Sequence, residues 1–240
     1  MKTLVLGASG ATGKLLVQQL LEEGQQVVAI VRNISDFAQT IPQQSNLELI
    51  QGSILQLSAT ELGCYVKGCS AVVSCLGHNM NFKGIYGQPR NLVTEVSRRV
   101  CAAIEQNRAE YPVKFILMSS SGVGNRDLKE SVSPSQMAVM GVLRLLLPPH
   151  LDNERAADFL RAEIGQKHSQ IEWLVLRPDT LINSPSVSQY QLHSSPIRSA
   201  IFNPGQTSRH NVANAMSVLL RDAAIWRQWR GQFPVIYNSE

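Results

Sequence analysis

The segment Gly7–Gly13, with the sequence Gly-Ala-Ser-Gly-Ala-Thr-Gly, carries three glycines at three-residue spacing. It follows the apolar run 3–6 and precedes apolar residues at helical spacing, which predicts a tight turn between a buried strand and a helix. A glycine at the centre lets a phosphate approach the backbone, and the helix N-terminus offers free N–H groups to it. The loop therefore predicts a dinucleotide site. Its expected cofactor contacts are Gly7, Ser9, Gly10, Ala11, Thr12 and Gly13.

The end of the second apolar run indicates which dinucleotide is bound. That run, 27–31, continues as Arg32-Asn33, and the nearest acid is Asp36. NAD sites usually place an Asp or Glu here against the ribose 2′-hydroxyl, whereas an arginine pairs with the 2′-phosphate of NADP. We therefore expect NADP(H) to be preferred over NAD(H). The alternative is that Arg32 is simply an exposed residue at a strand end.

Strand and helix patterns alternate along the 240 residues. This alternation predicts one α/β domain, 1–240, with a Rossmann-type doubly wound parallel sheet and helices on both faces. The predicted strands are 3–6, 27–31, 46–50, 70–76, 113–118, 171–176 and 233–237. The first predicted helix follows the glycine loop and ends near residue 23. The others span 92–106, 153–164 and 211–220.

Two segments break the alternation. Segment 183–209 is rich in Ser, Pro and Gln, and we interpret it as a small C-terminal substrate loop or cap, with a surface excursion as the alternative. Within 122–149, the apolar stretch 137–147 favours a helix packed on the sheet, or else a lid or partner surface.

Composition narrows the possible partners. The net charge of +4 is dispersed, without the basic and aromatic clusters typical of nucleic-acid binding. No apolar run is long enough to cross a bilayer, and no secretory signal precedes the first strand, so we expect a cytoplasmic protein. The spacing of the four cysteines favours reduced thiols over disulfides, and we expect no metal site. A small-molecule substrate is expected, and a homodimer is possible.

These motifs together resemble the atypical short-chain dehydrogenase/reductases, and within them the NmrA-like and flavin/biliverdin-reductase-like group. Beyond the glycine loop, the resemblance rests on Val31-Arg32-Asn33, Val73–Gly77, Met118–Ser121, Leu176-Arg177-Pro178 and Ser208–Ala213. It implies an NADP-binding Rossmann fold. It also implies cofactor contacts from Ser53, Cys75, Leu76, Gly77, Arg177 and Pro178, although Cys75 is equally consistent with a core residue.

The departures from this family bear on catalysis. Most short-chain dehydrogenases carry Tyr-x-x-x-Lys after the serine motif, where the Lys lowers the pKa of the Tyr phenol. A loose alignment puts His150 at the Tyr and Glu154 at the Lys of that pair. The Gly-Asp that often follows the third strand is Gly52-Ser53 here.

The first catalytic candidates are therefore Ser121 and Ser120, as hydrogen-bond donors to a substrate, and His150, as a proton relay. Alternatively, the serines only satisfy backbone groups and His150 is a loop residue. Further candidates are His78 at the cofactor edge, and His193, Tyr190 and Arg198 in the substrate loop.

Two functions are consistent with this set. One is an NADP(H)-dependent oxidoreductase acting on a planar conjugated acceptor such as a flavin or quinone, because a delocalised acceptor needs less help with its proton. The other is a non-catalytic NADP(H)-binding redox sensor or assembly protein, which the absent Tyr and Lys favour. An epimerase or dehydratase fits less well, since it would normally need that pair.

Overall fold

A computed structural model describes residues 1–78 and 81–239, with the backbone only at residue 83. The strands are β1 Lys2–Leu6, β2 Gln26–Val31, β3 Leu47–Gln51, β4 Ala71–Ser74, β5 Val113–Met118, β6 Ile171–Pro178, β7 Thr180–Ile182, β8 Tyr190–His193, β9 Gln206–Ser208 and β10 Val235–Asn238. The helices are α1 Ala11–Glu22, α2 Ile34–Ala38, α3 Ala59–Val66, α4 Phe82–Tyr86, α5 Leu92–Asn107, α6 Pro134–Leu146, α7 Pro148–Phe159, α8 Arg209–Arg221 and α9 Ala223–Trp229. A π-helical turn, Leu160–Ile164, extends α7.

The central sheet has eight strands in the order β3-β2-β1-β4-β5-β6-β10-β8. All neighbouring strands pair in parallel except β8, which is antiparallel to β10. The order reverses between β1 and β4, which is where a doubly wound sheet opens a crevice at the carboxyl ends of its strands. The sheet therefore positions the glycine loop after β1 at the edge of that crevice.

Helices cover both faces of the sheet. Helices α1, α8 and α9 bury Leu16, Leu20 and Met216 against one face. Helices α3, α5 and α7 bury Leu62 and Val100, among others, against the opposite face. Because parallel strands are buried on both faces, they consist of nearly continuous apolar residues, and this explains why the sequence pattern located them.

The Rossmann-type doubly wound fold is confirmed. The predicted strands all occur, and β5 has the predicted bounds. Segment 183–209, which has no apolar period, contains β8 at the sheet edge and β9, which pairs with β7 in a separate two-stranded sheet. Strands this short and half-exposed carry too few apolar residues to produce a recognisable period.

Nearly all of the apolar stretch 137–147 lies in α6. The predicted helix is confirmed, but its predicted packing on the sheet is not observed. Only Met140 of this helix is buried, and the helix packs against α7. Met137, Val142 and Leu145 are more than half exposed. Among the described residues, no helix has both the length and the apolarity needed to cross a membrane.

Candidate functional site

The glycine loop adopts a conformation that its sequence requires. Gly7 has φ +72°, and a Cβ there would lie 2.7 Å from the carbonyl oxygen of Cys75. A Cβ on Gly13 would lie 2.2 Å from the carbonyl oxygen of Gly7, so α1 can start this close to β1 only with glycine at that position. Gly10 is the N-cap of α1, and no side chain caps the helix. The first-turn N–H groups of α1 are therefore left for a ligand.

A cleft of about 500 Å³ opens beside this loop. Its walls come from the carboxyl ends of β1 to β4 and from the segment that leads into α5. Of the residues predicted from the sequence to contact the cofactor, it brings together Gly7, Ser9, Gly10, Arg32, Ser53, Cys75, Leu76 and Gly77. Ala11, Thr12 and Gly13 form the first turn of α1, directly behind Gly10.

Arg32 brings positive charge to the cleft. Its side chain is exposed at the end of β2, and its residue lines the cleft with Ser53. Within the described part of the chain, Arg32 forms no ion pair, and Asp36, the nearest acid in the sequence, lies in the following helix. The arginine charge is therefore not neutralised by a protein carboxylate.

Cys75 contributes its backbone rather than its thiol. The Sγ atom lies 3.9 Å from the Met216 sulfur in the core beneath the sheet. Burial raises the pKa of the Cys75 thiol to about 12. A thiol that stays protonated is a poor nucleophile, so Cys75 serves as both the core residue and the cleft residue that the sequence suggested. All four cysteines are free.

The serine motif after β5 lies outside the residues that line this cleft. The N–H of Ser121 donates to the carbonyl of Pro178 at 2.9 Å, and the N–H of Gly122 donates to the Ser120 hydroxyl at 3.1 Å. The first bond ties the end of β5 to β6, and the second is local to the loop. The motif therefore forms hydrogen bonds with backbone groups, which is the alternative role considered for it.

Arg177 and Pro178 also lie outside the cleft, which differs from the expectation that they contact the cofactor. The Arg177 guanidinium is fully buried and forms a bidentate pair with Glu130, at 2.7 and 3.2 Å. It also donates to the carbonyls of Val123 and Phe233, each at 2.7 Å. A buried guanidinium needs several acceptors, and these tie the loop after β5 to the chain before β10.

His150 lies on α7 and faces Glu154 rather than the cleft. Its Nε2 is 3.3 Å from Oε1 of Glu154, which accepts two-pronged hydrogen bonds from Arg144 of α6. A methyl group built on Gly122 would lie 3.5 Å from both the His150 ring and the Ser120 hydroxyl. The structure therefore brings His150 and Ser120 together, but with α6 and its arginine rather than with the cofactor loop.

Burial opposes the ionisation of Glu154, but the nearby His150 ring and the hydrogen bonds from Arg144 outweigh it and lower the pKa of this carboxyl to about 2. Glu154 is therefore a permanent anion at neutral pH. The sequence alignment with the family's Tyr-x-x-x-Lys pair puts Glu154 at the Lys, where an anion would replace a cation.

The structure adds a histidine–carboxylate pair at the cleft. His78 follows β4 and lines the cleft next to Gly77, and its Nε2 lies 2.8 Å from Oδ2 of Asp152. Asp152 is fully buried and accepts the N–H groups of Val93 and Thr94 at the start of α5. Sequence reasoning placed His78 at the cofactor edge but missed Asp152. The two residues are separated by 74 positions, and no periodic pattern links them.

Segment 183–209 lines a different cleft, of about 590 Å³, at the opposite end of the sheet beside β8 and β10. His193 and Arg198 lie in its wall. The Tyr190 hydroxyl instead donates to the Asn214 side chain at 2.9 Å. The segment is therefore a structured edge of the sheet, and its expected contact with a substrate stays a prediction.

Comparison with solved structures identifies the same fold in other proteins. A protein from Lactobacillus casei superimposes with a TM-score of 0.76 over 100% of both chains at 15% identity. A short-chain dehydrogenase/reductase from Veillonella parvula in complex with NADP gives 0.71 at 16% identity, over 99% of this chain and 94% of the other. The anaerobillin reductase ChuY of Escherichia coli gives 0.69 at 19% identity, over 100% and 98%. No curated protein matches the chain by sequence.

A family model described as NAD(P)H-binding matches residues 7–223, which is most of the chain. The match begins at the first glycine of the loop. Three features suit the binding of dinucleotide phosphates. Helix α1 has no side-chain cap, glycines leave the loop free of side chains, and Arg32 forms no ion pair within the described residues. The fold is shared with a protein named as a short-chain dehydrogenase/reductase, in line with the resemblance seen in the sequence. The chain belongs to the NAD(P)H-binding family that the matching model describes.

Proposed function

We propose that the protein is an NADP(H)-dependent oxidoreductase that transfers hydride to a planar conjugated acceptor such as a flavin or quinone. The single observation that carries the proposal is the cleft, which joins the glycine loop, Arg32 and an ionisable His78 in one wall. Two of the proteins that share its fold are a reductase and an NADP-bound dehydrogenase/reductase, and they support the same class of reaction.

Different residues of the chain would bind different parts of the cofactor and the acceptor. The first-turn N–H groups of α1 would bind the pyrophosphate, and Arg32 would pair with a 2′-phosphate. Bound NADP(H) supplies the hydride. Ser120 and Ser121, in the loop that follows β5, are proposed to donate hydrogen bonds to the acceptor. Since β4 and β5 are adjacent in the sheet, the acceptor would lie over the ends of both strands.

Preference for NADP(H) is tested by the variant Arg32→Ala. Losing a charge-assisted hydrogen bond to a phosphate should weaken NADPH binding by about 10- to 100-fold and NADH binding by less than about threefold. Nicotinamide fluorescence measures both dissociation constants. Arg227→Ala is the matched control, because Arg227 is an exposed arginine on α9, away from the cleft. Equal losses for the two cofactors would show that Arg32 does not recognise the 2′-phosphate.

Turnover is tested by mixing the protein with NADPH and a panel of flavins, quinones and biliverdin while following nicotinamide absorbance. We expect oxidation of NADPH with at least one planar acceptor, and a lower rate in Ser121→Ala. A rate unchanged in Ser121→Ala would remove the serine assignment and leave the enzyme proposal standing.

The alternative, a non-catalytic NADP(H)-binding sensor or assembly protein, is favoured by one observation. The sequence alignment puts Glu154 at the family's Lys, and the structure pairs Glu154 with Arg144. Tight NADPH binding with no oxidation by any member of the panel would favour this alternative over the oxidoreductase.

A further inference from the structure

We propose that His78 donates the proton that accompanies hydride transfer, and that Asp152 is the positioning residue that holds its ring. The proposal rests on the proposed oxidoreductase function and names a residue of its active site. It starts from the composition of the cleft wall. Among the described residues that line the cleft, the ionisable ones are Arg32, Cys75 and His78.

Two of these three groups are unsuited to proton transfer near neutral pH. An arginine guanidinium does not deprotonate in proteins. The Cys75 thiol has its pKa raised to about 12 by burial, and its sulfur lies against Met216 in the core. An imidazole can both hold and release a proton in this pH range, so His78 is the one group of the described wall with the required chemistry.

The geometry of Asp152 fixes the His78 ring. Oδ2 of Asp152 accepts from the N–H of Val93 at 2.8 Å, and Oδ1 accepts from the N–H and hydroxyl of Thr94, at 3.0 and 2.7 Å. These bonds hold the carboxylate whether or not His78 is present. Because Asn91, the N-cap of α5, makes no side-chain cap, Asp152 supplies the cap from α7 and gains from the positive end of the helix.

An anchored carboxylate orients a histidine ring and stabilises its protonated form. With Nε2 bound to Asp152, the other ring nitrogen, Nδ1, is the one that can exchange a proton with a ligand. The His78 side chain is only 5% exposed, so the ring is held within the wall rather than free in solvent. The proposal requires this nitrogen to face an acceptor bound in the cleft next to Gly77.

Electrons and protons balance in the proposed transfer. The acceptor gains two electrons and one hydrogen as hydride, which leaves negative charge on an oxygen or nitrogen of its conjugated system. The Nδ1–H bond of His78 breaks and an O–H or N–H bond forms on the acceptor. NADPH becomes NADP⁺, His78 is left neutral, and a proton from water restores it.

The first test is the variant His78→Gln, whose amide can still donate to Asp152 but cannot transfer a proton. We expect kcat for the best acceptor of the panel to fall about 100-fold or more, while the dissociation constant of NADPH changes less than about threefold. His168→Gln is the matched control, since His168 pairs with Glu105 at 3.0 Å on the surface, outside the cleft. Its kcat should be unchanged.

Chemical rescue separates proton transfer from a structural role. His78→Ala should regain turnover as free imidazole is added, whereas a merely structural defect would not respond. Asp152→Asn should lower kcat by at least about tenfold with little change in KM, because the ring loses its anionic partner. Circular dichroism of each variant confirms folding before its rate is measured.

A readout without turnover comes from nitrogen NMR of histidine-labelled protein. Addition of NADP⁺ should shift the ring signals of His78 and leave those of His168 unchanged. Unmoved His78 signals, undiminished kcat in His78→Gln, or a rise in KM alone would each overturn the assignment. If the wild-type protein bound NADPH but reduced no acceptor, both the oxidoreductase proposal and the role of His78 would be overturned. Wild-type turnover that is undiminished in His78→Gln would overturn only the role of His78.

Discussion

Two histidine–carboxylate pairs are built on the same helix, and they face different parts of the molecule. Asp152 and Glu154 are two residues apart on α7, which places them about 200° apart around the helix axis. Asp152 faces α5 and pairs with His78 at the cleft. Glu154 faces α6 and pairs with Arg144 and His150.

The two carboxylates differ in how they are satisfied. Asp152 is fully buried and takes its partners from backbone N–H groups, a hydroxyl and one histidine. Glu154 takes them from a half-exposed arginine and a histidine. A carboxylate held by backbone groups is fixed by the fold, whereas one held by long side chains depends on their positions. The first pair is therefore suited to orienting a ring at a reaction site, and the second to joining two surface helices.

The largest expected difference between the pairs is in stability. Asp152→Ala removes a helix cap and leaves buried N–H groups without acceptors, so we expect a loss of about 3–5 kcal/mol in the free energy of unfolding. Glu154→Ala should cost about 1–2 kcal/mol, because Arg144 is half exposed and can be hydrated. Urea denaturation measures both.

The surface pair His168–Glu105 provides the control, since Glu105→Ala should change the free energy of unfolding by less than about 1 kcal/mol. A larger cost for Glu154→Ala than for Asp152→Ala would contradict the comparison, because it would make the α6 contact the stronger anchor of α7.

The next difference is in turnover. The sequence makes His150 a candidate proton relay, and we propose His78 for that role, so the two glutamine variants test one hypothesis against the other. We expect His78→Gln to lower kcat at least about 30-fold more than His150→Gln does, under the same acceptor and pH. The reverse order would return the role of proton relay to His150 and would mean that α6 moves to open the Glu154 side to the substrate.

The difference between the two histidines also shows what the sequence could predict. The parallel strands and the glycine loop have local signals, because burial on both faces and the close approach at Gly13 constrain residues that are near one another in sequence. Arg32 could be found for the same reason, since it directly follows a buried strand. The fold and about half of the residues that line the cleft could therefore be predicted from the sequence.

The rest of the site depends on contacts between distant residues. Asp152 meets His78 and α5 only after α7 packs, and nothing in its own neighbourhood marks it as buried. Arg177 matches the family's Arg-Pro motif, but Glu130 and two carbonyls hold it away from the cleft. A charged residue in a motif identifies a family, whereas its partner in the folded chain determines what it does.

The smallest expected effect is the pH dependence of the second pair. Burial raises the pKa of Glu154, but the nearby His150 ring and the hydrogen bonds from Arg144 outweigh this effect and lower the pKa from 4.5 to about 2. A carboxyl whose pKa is lowered in the folded state stabilises the protein above its unfolded pKa, and this stabilisation is lost as the pH falls through the folded pKa. Glutamine mimics the protonated carboxyl.

Glu154→Gln should therefore be less stable than the wild type by about 1–2 kcal/mol at pH 7, and this difference should shrink between about pH 4.5 and pH 2. Urea midpoints across this range measure it, with Glu105→Gln on the surface as the matched control. A difference that persists at pH 2 would mean that Glu154 acts by packing rather than by charge. The contact of Glu154 with α6 would then depend on packing, and the contrast with Asp152 would rest on burial alone.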